Sequence, residues 1–219
     1  MNFSSAPIRM VLASIASILA LSACSIVGTP GPTRTESRTV NGFSKVELAG
    51  SGELIIDQTG SETLTIEAGE KVLPHLTSDV VGDTLVLGVR RGTFTAPGGK
   101  ISYHLTVKDL TGLSVSGSGN VTAPKITTDS LGVDISGSGT VTVGGTARES
   151  QLSISGSGTY VAGDLASKTL RADISGSGDA TVNVSDTLDV SISGSGSLSY
   201  SGEPAVRSDI SGSGRVAKS

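Results

Sequence analysis

The sequence predicts an all-β fold, a solenoid of stacked coils of about 18–20 residues each. Three observations support this prediction. The tetrapeptide Ser-Gly-Ser-Gly recurs at a nearly fixed interval, which is typical of repeat solenoids. A two-residue apolar alternation runs through each copy, as in a half-buried strand. The composition, with 30 Gly, no Trp and 3% aromatic residues, favours strands and turns over helices.

The repeat occupies the second half of the chain. Its intervals are 20, 19, 20, 18 and 18 residues. The six copies begin at Ser116, Ser136, Ser155, Ser175, Ser193 and Ser211. Gly/Ser tracts are often flexible linkers, but the apolar alternation on both sides of each copy argues against that interpretation here.

The alternation assigns a direction to each side chain. Leu131, Val133 and Ile135 share one parity with Gly137 and Gly139, and residues two apart in a strand face the same side. We therefore expect the apolar residues to line an interior and the serines to face outward. The glycines would mark a bent edge where a Cβ would collide with the opposite wall.

An earlier copy of this pattern surrounds Gly50 and Gly52, so the predicted domain spans residues 40–219. Between residues 60 and 110 the tetrapeptide disappears while strand alternation continues. We interpret this stretch as additional strands that flank or cap the solenoid. The sequence leaves open whether they form regular coils or an antiparallel meander. Residues 73–76 are expected to form a short irregular or helical piece.

The N-terminus predicts export. Arg9 precedes an apolar stretch from Met10 to Leu21, which is too short to span a membrane as a helix and fits a secretory signal. Leu21-Ser22-Ala23-Cys24 resembles the lipobox of bacterial lipoproteins, whose cysteine is acylated after cleavage. We expect residues 1–23 to be a signal peptide, Cys24 to carry the lipid, and residues 24–39 to be a flexible tether. The alternative is an ordinary signal peptide followed by an incidental cysteine.

Several motifs in a fixed order resemble a known bacterial family. They are Asn41-Gly42-Phe43 leading into Lys45-Val46-Glu47-Leu48, then Leu64-Thr65-Ile66-Glu67, Leu73-Pro74, Gly82-Asp83-Thr84-Leu85 and the Ser-Gly-Ser-Gly coils. Together they resemble the family described as "putative auto-transporter adhesin, head GIN domain" over roughly residues 40 to 215. The resemblance implies a right-handed β-helix-like solenoid and little about activity.

Charge and motifs exclude several functions. Removal of the signal peptide leaves 15 basic and 20 acidic residues, a net charge of −5, so we expect no nucleic-acid partner. His75 and His104 are isolated, and no HExxH, GxSxG or P-loop pattern occurs. We expect no enzyme activity, no cofactor and no metal. The alternative is a carbohydrate-active β-helix enzyme, which would need an outward acidic cluster in a groove.

The candidate binding surface is a strip of outward-facing serines. At a coil spacing of about 4.8 Å the strip would be roughly 24 Å long. Its twelve members, called the serine strip below, are Ser116, Ser118, Ser136, Ser138, Ser155, Ser157, Ser175, Ser177, Ser193, Ser195, Ser211 and Ser213. Stacking alone would also select serine here. The functional interpretation is recognition of an extended, repetitive polar partner such as a glycan, a cell-wall polymer or an adhesin receptor. Binding of ice or a mineral face is a further alternative.

A second outward row alternates serine with aspartate. It consists of Ser114, Asp134, Ser153, Asp173, Ser191 and Asp209. The alternation avoids like charges on adjacent strands, and the carboxylates are too far apart to share one Ca²⁺.

The sequence therefore predicts a non-catalytic lipoprotein of the cell envelope with a binding, adhesion-like or structural role. It would be anchored on the outer side of the cytoplasmic membrane or in the outer membrane. The sequence determines neither which membrane, nor the ligand, nor the oligomeric state. We expect Arg215 and Lys218 to blunt the exposed edge of the last coil, with weak end-to-end association as the alternative.

Overall fold

The computed structural model describes the backbone of residues 25–27, 30–90, 93–95 and 99–219, and the side chains of residues 30–90 and 99–219. Strands dominate these residues, and one 3₁₀ turn, η1, covers Leu73–His75. The strands are β1 (Ser25–Val27), β2 (Thr33–Arg38), β3 (Lys45–Ala49), β4 (Glu53–Gln58), β5 (Thr63–Gly69), β6 (Leu76–Val81), β7 (Thr84–Val89), β8 (Thr93–Thr95), β9 (Ser102–Val107), β10 (Gly112–Gly117), β11 (Asn120–Gly137), β12 (Thr140–Gly156), β13 (Thr159–Gly176), β14 (Asp179–Gly194), β15 (Ser197–Ser201), β16 (Ala205–Gly212) and β17 (Arg215–Lys218).

The long strands β11 to β14 are the repeating coils of a β-solenoid of about five turns. Each bends around the core and contributes to three parallel ladders. The first sheet holds residues 132–137 of β11 and their partners in β12, β13 and β14, continuing to β10 on one side and β16 on the other. This confirms the predicted all-β solenoid.

The second sheet contains the opening segments of the same long strands. It includes residues 120–123 of β11 and their partners, with β4 and β9 on one side and β15 and β17 on the other. A shorter third sheet joins residues 126–130 of β11 to the corresponding parts of β12, β13 and β14. Register shifts of one to a few residues between the second and third sheets absorb the unequal coil lengths.

The predicted direction of the side chains is confirmed. Ile135, Ile154, Ile174 and Ile192 are direct strand partners, and each is 1% exposed. Every serine of the serine strip is exposed. The ladder of isoleucines continues Val115 at one end and reaches Ile210 at the other. One continuous apolar core therefore runs through the coils.

The stretch from residue 60 to 110 combines the two arrangements that the sequence left open. β7 runs parallel to β3, and β9 runs parallel to β4. Together β7 and β9 form an outer coil beside the first one, although they come later in the chain. β5 and β6 are antiparallel to β9 and β7, so they cap this end of the solenoid. Leu73–His75 is the expected short helical piece.

The expected flexible tether over residues 24–39 is wrong for its last part. β2, Thr33–Arg38, pairs antiparallel with β5 along its whole length. Arg38 also donates hydrogen bonds to the carbonyl oxygens of Leu73 (3.1 Å) and Leu76 (2.8 Å). This strand carries only polar and charged side chains, so hydrophobic periodicity gives no sign of it. Cys24 and residues 1–23 lie outside the described residues.

Candidate functional site

The serine strip forms two rows at the end of the first sheet, where each coil turns toward the second sheet. In the first row Ser116 pairs with Ser136, and the pairing continues without a register shift through Ser155, Ser175 and Ser193 to Ser211. The second row follows two residues later in each coil. The rows therefore repeat the same chemical group at the spacing of parallel strands, about 4.8 Å.

The hydroxyls of the serine strip are scarcely used by the protein itself. Among the described residues, Ser116 is the member whose hydroxyl bonds another side chain, donating to Glu47 Oε1 at 3.1 Å. If stacking alone accounted for the serines, their hydroxyls would be expected to bond one another along the strip. Such bonds are not seen between the serines that the structure describes. The strip consequently presents free donors and acceptors to the surroundings.

Backbone hydrogen bonds explain why each coil bends at this tetrapeptide. The amide of the second serine donates to the carbonyl of the first glycine in the preceding coil, as in Ser157 N–H to Gly137 O at 2.9 Å. That glycine has a positive φ, +139° at Gly137, which a side chain would make costly. Glycine thus shapes the bend, and serine is the residue that the bend turns outward.

The expectation that a Cβ on these glycines would collide with the opposite wall is wrong. A Cβ on Gly176 would lie 2.5 Å from the carbonyl oxygen of Gly156, and one on Gly158 would meet Ile135 Cγ2. Both obstacles belong to the preceding coils. The glycines are therefore required by close stacking of successive coils rather than by contact with the opposite wall.

A row of alternating carboxylates runs beside the serine strip. Asp134, Asp173 and Asp209 alternate with serines through direct strand pairing, as predicted. Glu47 of β3 pairs with Ser114 and extends the same alternation by one coil. The acidic side chains are therefore two coils apart, about 9.6 Å. Arg171 Nε lies 3.2 Å from Asp173 Oδ2, which neutralises that carboxylate locally.

The histidines and tyrosines considered as candidate groups are not part of the serine strip. His104 is exposed on β9, whereas His75 Nδ1 is buried without a hydrogen-bond partner among the described residues. Tyr160 is buried, and burial raises the pKa of Tyr103 to about 12 and the pKa of Tyr160 above its ordinary range. Both phenols are thus neutral core groups. Within the described residues, no group of three or more His, Cys, Asp or Glu could hold a metal ion.

Sequence reasoning missed a groove on the third sheet. It has a volume of about 930 Å³ and crosses several coils. Thr128, Ala147 and Ser167 lie along it, with Asp129, Arg148 and other polar side chains at its sides. Arg148 Nε lies 3.5 Å from Asp129 Oδ1, and Arg148 Nη1 lies 2.5 Å from Glu149 Oε1. No feature of the described residues points to the carbohydrate-active enzyme considered above.

The described residues thus form a β-solenoid that carries a repeated, exposed row of serine hydroxyls. The chain belongs to the family "putative auto-transporter adhesin, head GIN domain", which matches residues 42–204. The resemblance drawn from the sequence motifs is thereby confirmed. No functionally curated protein matches the chain at a significant level.

Solved structures share this fold. A putative adhesin of Bacteroides fragilis has a TM-score of 0.71 at 24% identity, covering 86% of this chain and 97% of its own. A putative adhesin of Parabacteroides distasonis has a TM-score of 0.58 at 22% identity, covering 89% and 100%. A protein of the same species described as a putative lipid binding protein has a TM-score of 0.60 at 22% identity, covering 89% and 100%.

Within the part of the chain that the structure describes, no helix has the length and apolar character needed to cross a bilayer.

Proposed function

We propose that the protein is an exported, lipid-anchored and non-catalytic binding protein of the cell envelope. Its serine strip would recognise an extended polar polymer, either a glycan or another cell-wall polymer. The observation that supports this most is that the strip is repetitive, in register and exposed while its hydroxyls are almost unused within the protein. Membership in an adhesin-like family agrees with a role at the cell surface.

The chemistry of the strip favours a hydroxyl-rich ligand. A serine hydroxyl both donates and accepts hydrogen bonds. It can therefore bond a sugar hydroxyl whether that hydroxyl acts as the donor or as the acceptor. A regular row of such groups matches a ligand that repeats along its length, because each coil then makes the same contact. Once the polymer is bound at one coil, its next repeat lies at a high effective concentration beside the next coil. The affinities of many weak contacts therefore combine. The neighbouring carboxylates of Asp134 and Asp209 would disfavour strongly acidic polymers.

The anchor is proposed from Leu21-Ser22-Ala23-Cys24. Acylation of Cys24 would attach the solenoid to a membrane, with residues 25–32 as the connection to β2. A single acyl chain gives only marginal membrane binding, so stable anchoring implies more than one chain on the modified cysteine.

Binding is tested by screening the protein against arrays of glycans and cell-wall fragments. The blocking variant is Ser155→Lys with Ser175→Lys, which places two long cations on adjacent coils of the strip. The control is Val161→Lys with Thr181→Lys, an exposed and directly paired couple on the second sheet. We expect the first variant to lose at least about tenfold in affinity for the polymer and the control to retain it. Equal binding by both variants contradicts the proposed surface.

Anchoring is tested separately by fractionating cells that express Cys24→Ser. We expect the variant in the soluble fraction and the unchanged protein in the membrane fraction. A Cys24→Ser protein that remains with membranes, together with an unchanged protein free of lipid by mass spectrometry, contradicts the lipobox interpretation.

A further inference from the structure

The outer edge of β16 carries unpaired backbone groups. β16 pairs with β14 on one side, and no described strand pairs with its other side. All eight of its residues are exposed. Val206 is 38% and Ile210 39% exposed, although each continues a buried row, from Leu188 and Ile192 respectively. An exposed strand edge with apolar side chains is a template for pairing with another strand.

The order of side chains on β16 is symmetric about Ser208. Val206 and Ile210 lie two residues on either side, on the face that continues the core. Arg207 and Asp209 lie one residue on either side, on the outward face. An antiparallel pairing of two such strands about Ser208 therefore places Val206 opposite Ile210 and Arg207 opposite Asp209.

We propose that this edge is the interface of a homodimer. Two copies pair β16 with β16 in antiparallel orientation about a two-fold axis through Ser208. The inward faces of the two first sheets then lie on the same side, so both cores continue across the interface. Each strand supplies backbone hydrogen bonds to the other, and the pairing covers the exposed halves of Val206 and Ile210.

Charge selects this register over its neighbours. A shift of the axis to Arg207 or to Asp209 is the smallest change that keeps apolar faces together. An axis at Arg207 sets that guanidinium opposite its own copy, and an axis at Asp209 does the same with two carboxylates. Like charges directly opposite are destabilising. Only the axis at Ser208 pairs opposite charges on the outward face and apolar residues on the inward face.

The same register extends a charge pattern already present within one chain. Arg171, Asp189 and Arg207 are consecutive strand partners of alternating sign. Across the interface the next member of this row is Asp209 of the second copy, so the alternation continues. The contact is isologous and closes at two copies, whereas pairing of β16 with the antiparallel cap β6 of another copy would give open filaments.

Light scattering on the purified protein over a range of concentrations tests the oligomeric state. We expect a monomer–dimer equilibrium without larger species. Arg207→Asp or Asp209→Arg alone should weaken the dimer about tenfold or more, since each creates two like-charge pairs. The two together should restore it. Lys168→Asp, the same change in charge at an exposed site on the third sheet, is the control and should leave dimerisation unchanged.

Cross-linking tests the register directly. Residues opposite each other in an antiparallel pair have Cα atoms about 4.5–5.5 Å apart, within the range for a disulfide. Ser208→Cys in a Cys24→Ser chain, which then has no other cysteine, should form a disulfide-linked dimer on mild oxidation. Ser157→Cys on a central coil should stay monomeric under the same conditions. A monomer at all concentrations, filaments, or equal cross-linking of both cysteines overturns the proposal.

Discussion

The backbone amide of Ser138 donates a hydrogen bond to the carbonyl oxygen of Gly117, one coil earlier, at 2.9 Å. The same bond recurs in the following coils, from Ser157 to Ser213, at 2.8–2.9 Å. It lies outside the regular ladder, at the point where each coil turns from the first sheet to the second. The bend is therefore held by the coil before it rather than by contacts within its own turn.

Because each bend depends on the preceding coil, a side chain at Gly176 should greatly reduce the stability of the fold. The change Gly176→Ala would place a Cβ 2.5 Å from Gly156 O at a φ of +120°. We expect a loss of at least about 2 kcal/mol in the free energy of unfolding from overlap and backbone strain. Gly163→Ala is the control, because its Cβ would meet Thr181 Cγ2 at 3.7 Å. Urea unfolding of both variants measures the difference, and similar stabilities contradict the explanation.

The isoleucine ladder predicts that the loss of stability caused by an Ile→Ala change decreases from the middle of the ladder to its end. Ile154→Ala removes a fully buried side chain between two others and should cost about 2–5 kcal/mol. Ile210→Ala, at 39% exposure on β16, should cost less than about 1 kcal/mol in the dilute monomer. Chemical denaturation at low protein concentration compares them. Equal losses would indicate that the terminal coil is as tightly packed as the centre.

An ion pair next to β5 predicts a pH-dependent contribution to stability. The Lys108 ammonium, 2.9 Å from Glu62 Oε2, lowers the pKa of Glu62 below its ordinary 4.5. A carboxylate with a lowered folded-state pKa stabilises the fold above the unfolded-state value, and this contribution is lost as pH falls through the folded-state value. Glu62→Gln should therefore lower the melting temperature at pH 7.

The same measurement below pH 4 provides the contrast. The difference in melting temperature between Glu62→Gln and the unchanged protein should shrink as the pH falls below 4.5. Asp164→Asn, which removes an exposed carboxylate, serves as the control at each pH. A difference that stays constant from pH 7 to pH 3 contradicts the electrostatic origin.

Charges on β17 should weaken association through the last coil. Lys218 forms an ion pair with Glu203, and Arg215 is exposed on the same strand. Replacing Arg215 and Lys218 by Thr removes repulsion between two copies whose ends approach each other. Light scattering should show a larger dimer fraction for the double variant. A variant that remains strictly monomeric at high concentration contradicts the idea that these cations blunt the edge.

The sequence predicted those features that depend on parity alone. Ile135 inside and Ser136 outside follow from a period of two, and one error in register would have reversed every coil. The alternation of Ser114 with Asp134 follows from the repeat interval. Predicting these features requires only the repeat interval, because it already aligns each coil with the next.

Other features required long-range pairing that no local pattern reveals. The coil formed by β7 and β9 stacks outside β3, against the order of the chain. The polar strand β2 is recognised only through its partner β5 and the bonds of Arg38. The groove is lined by Thr128, Ala147 and Ser167 of three successive coils, so it exists only once those coils stack.

The interval of 18–20 residues between bends gives the molecule a natural unit of length. Because each coil contacts mainly its two neighbours, duplication or loss of one coil between Ser136 and Ser193 would leave the contacts of the others in place. Each added coil would lengthen the serine strip by about 4.8 Å and by two hydroxyls. The length of the serine strip and the number of its ligand contacts would thus change together, by a fixed amount for each coil, while the fold stays the same.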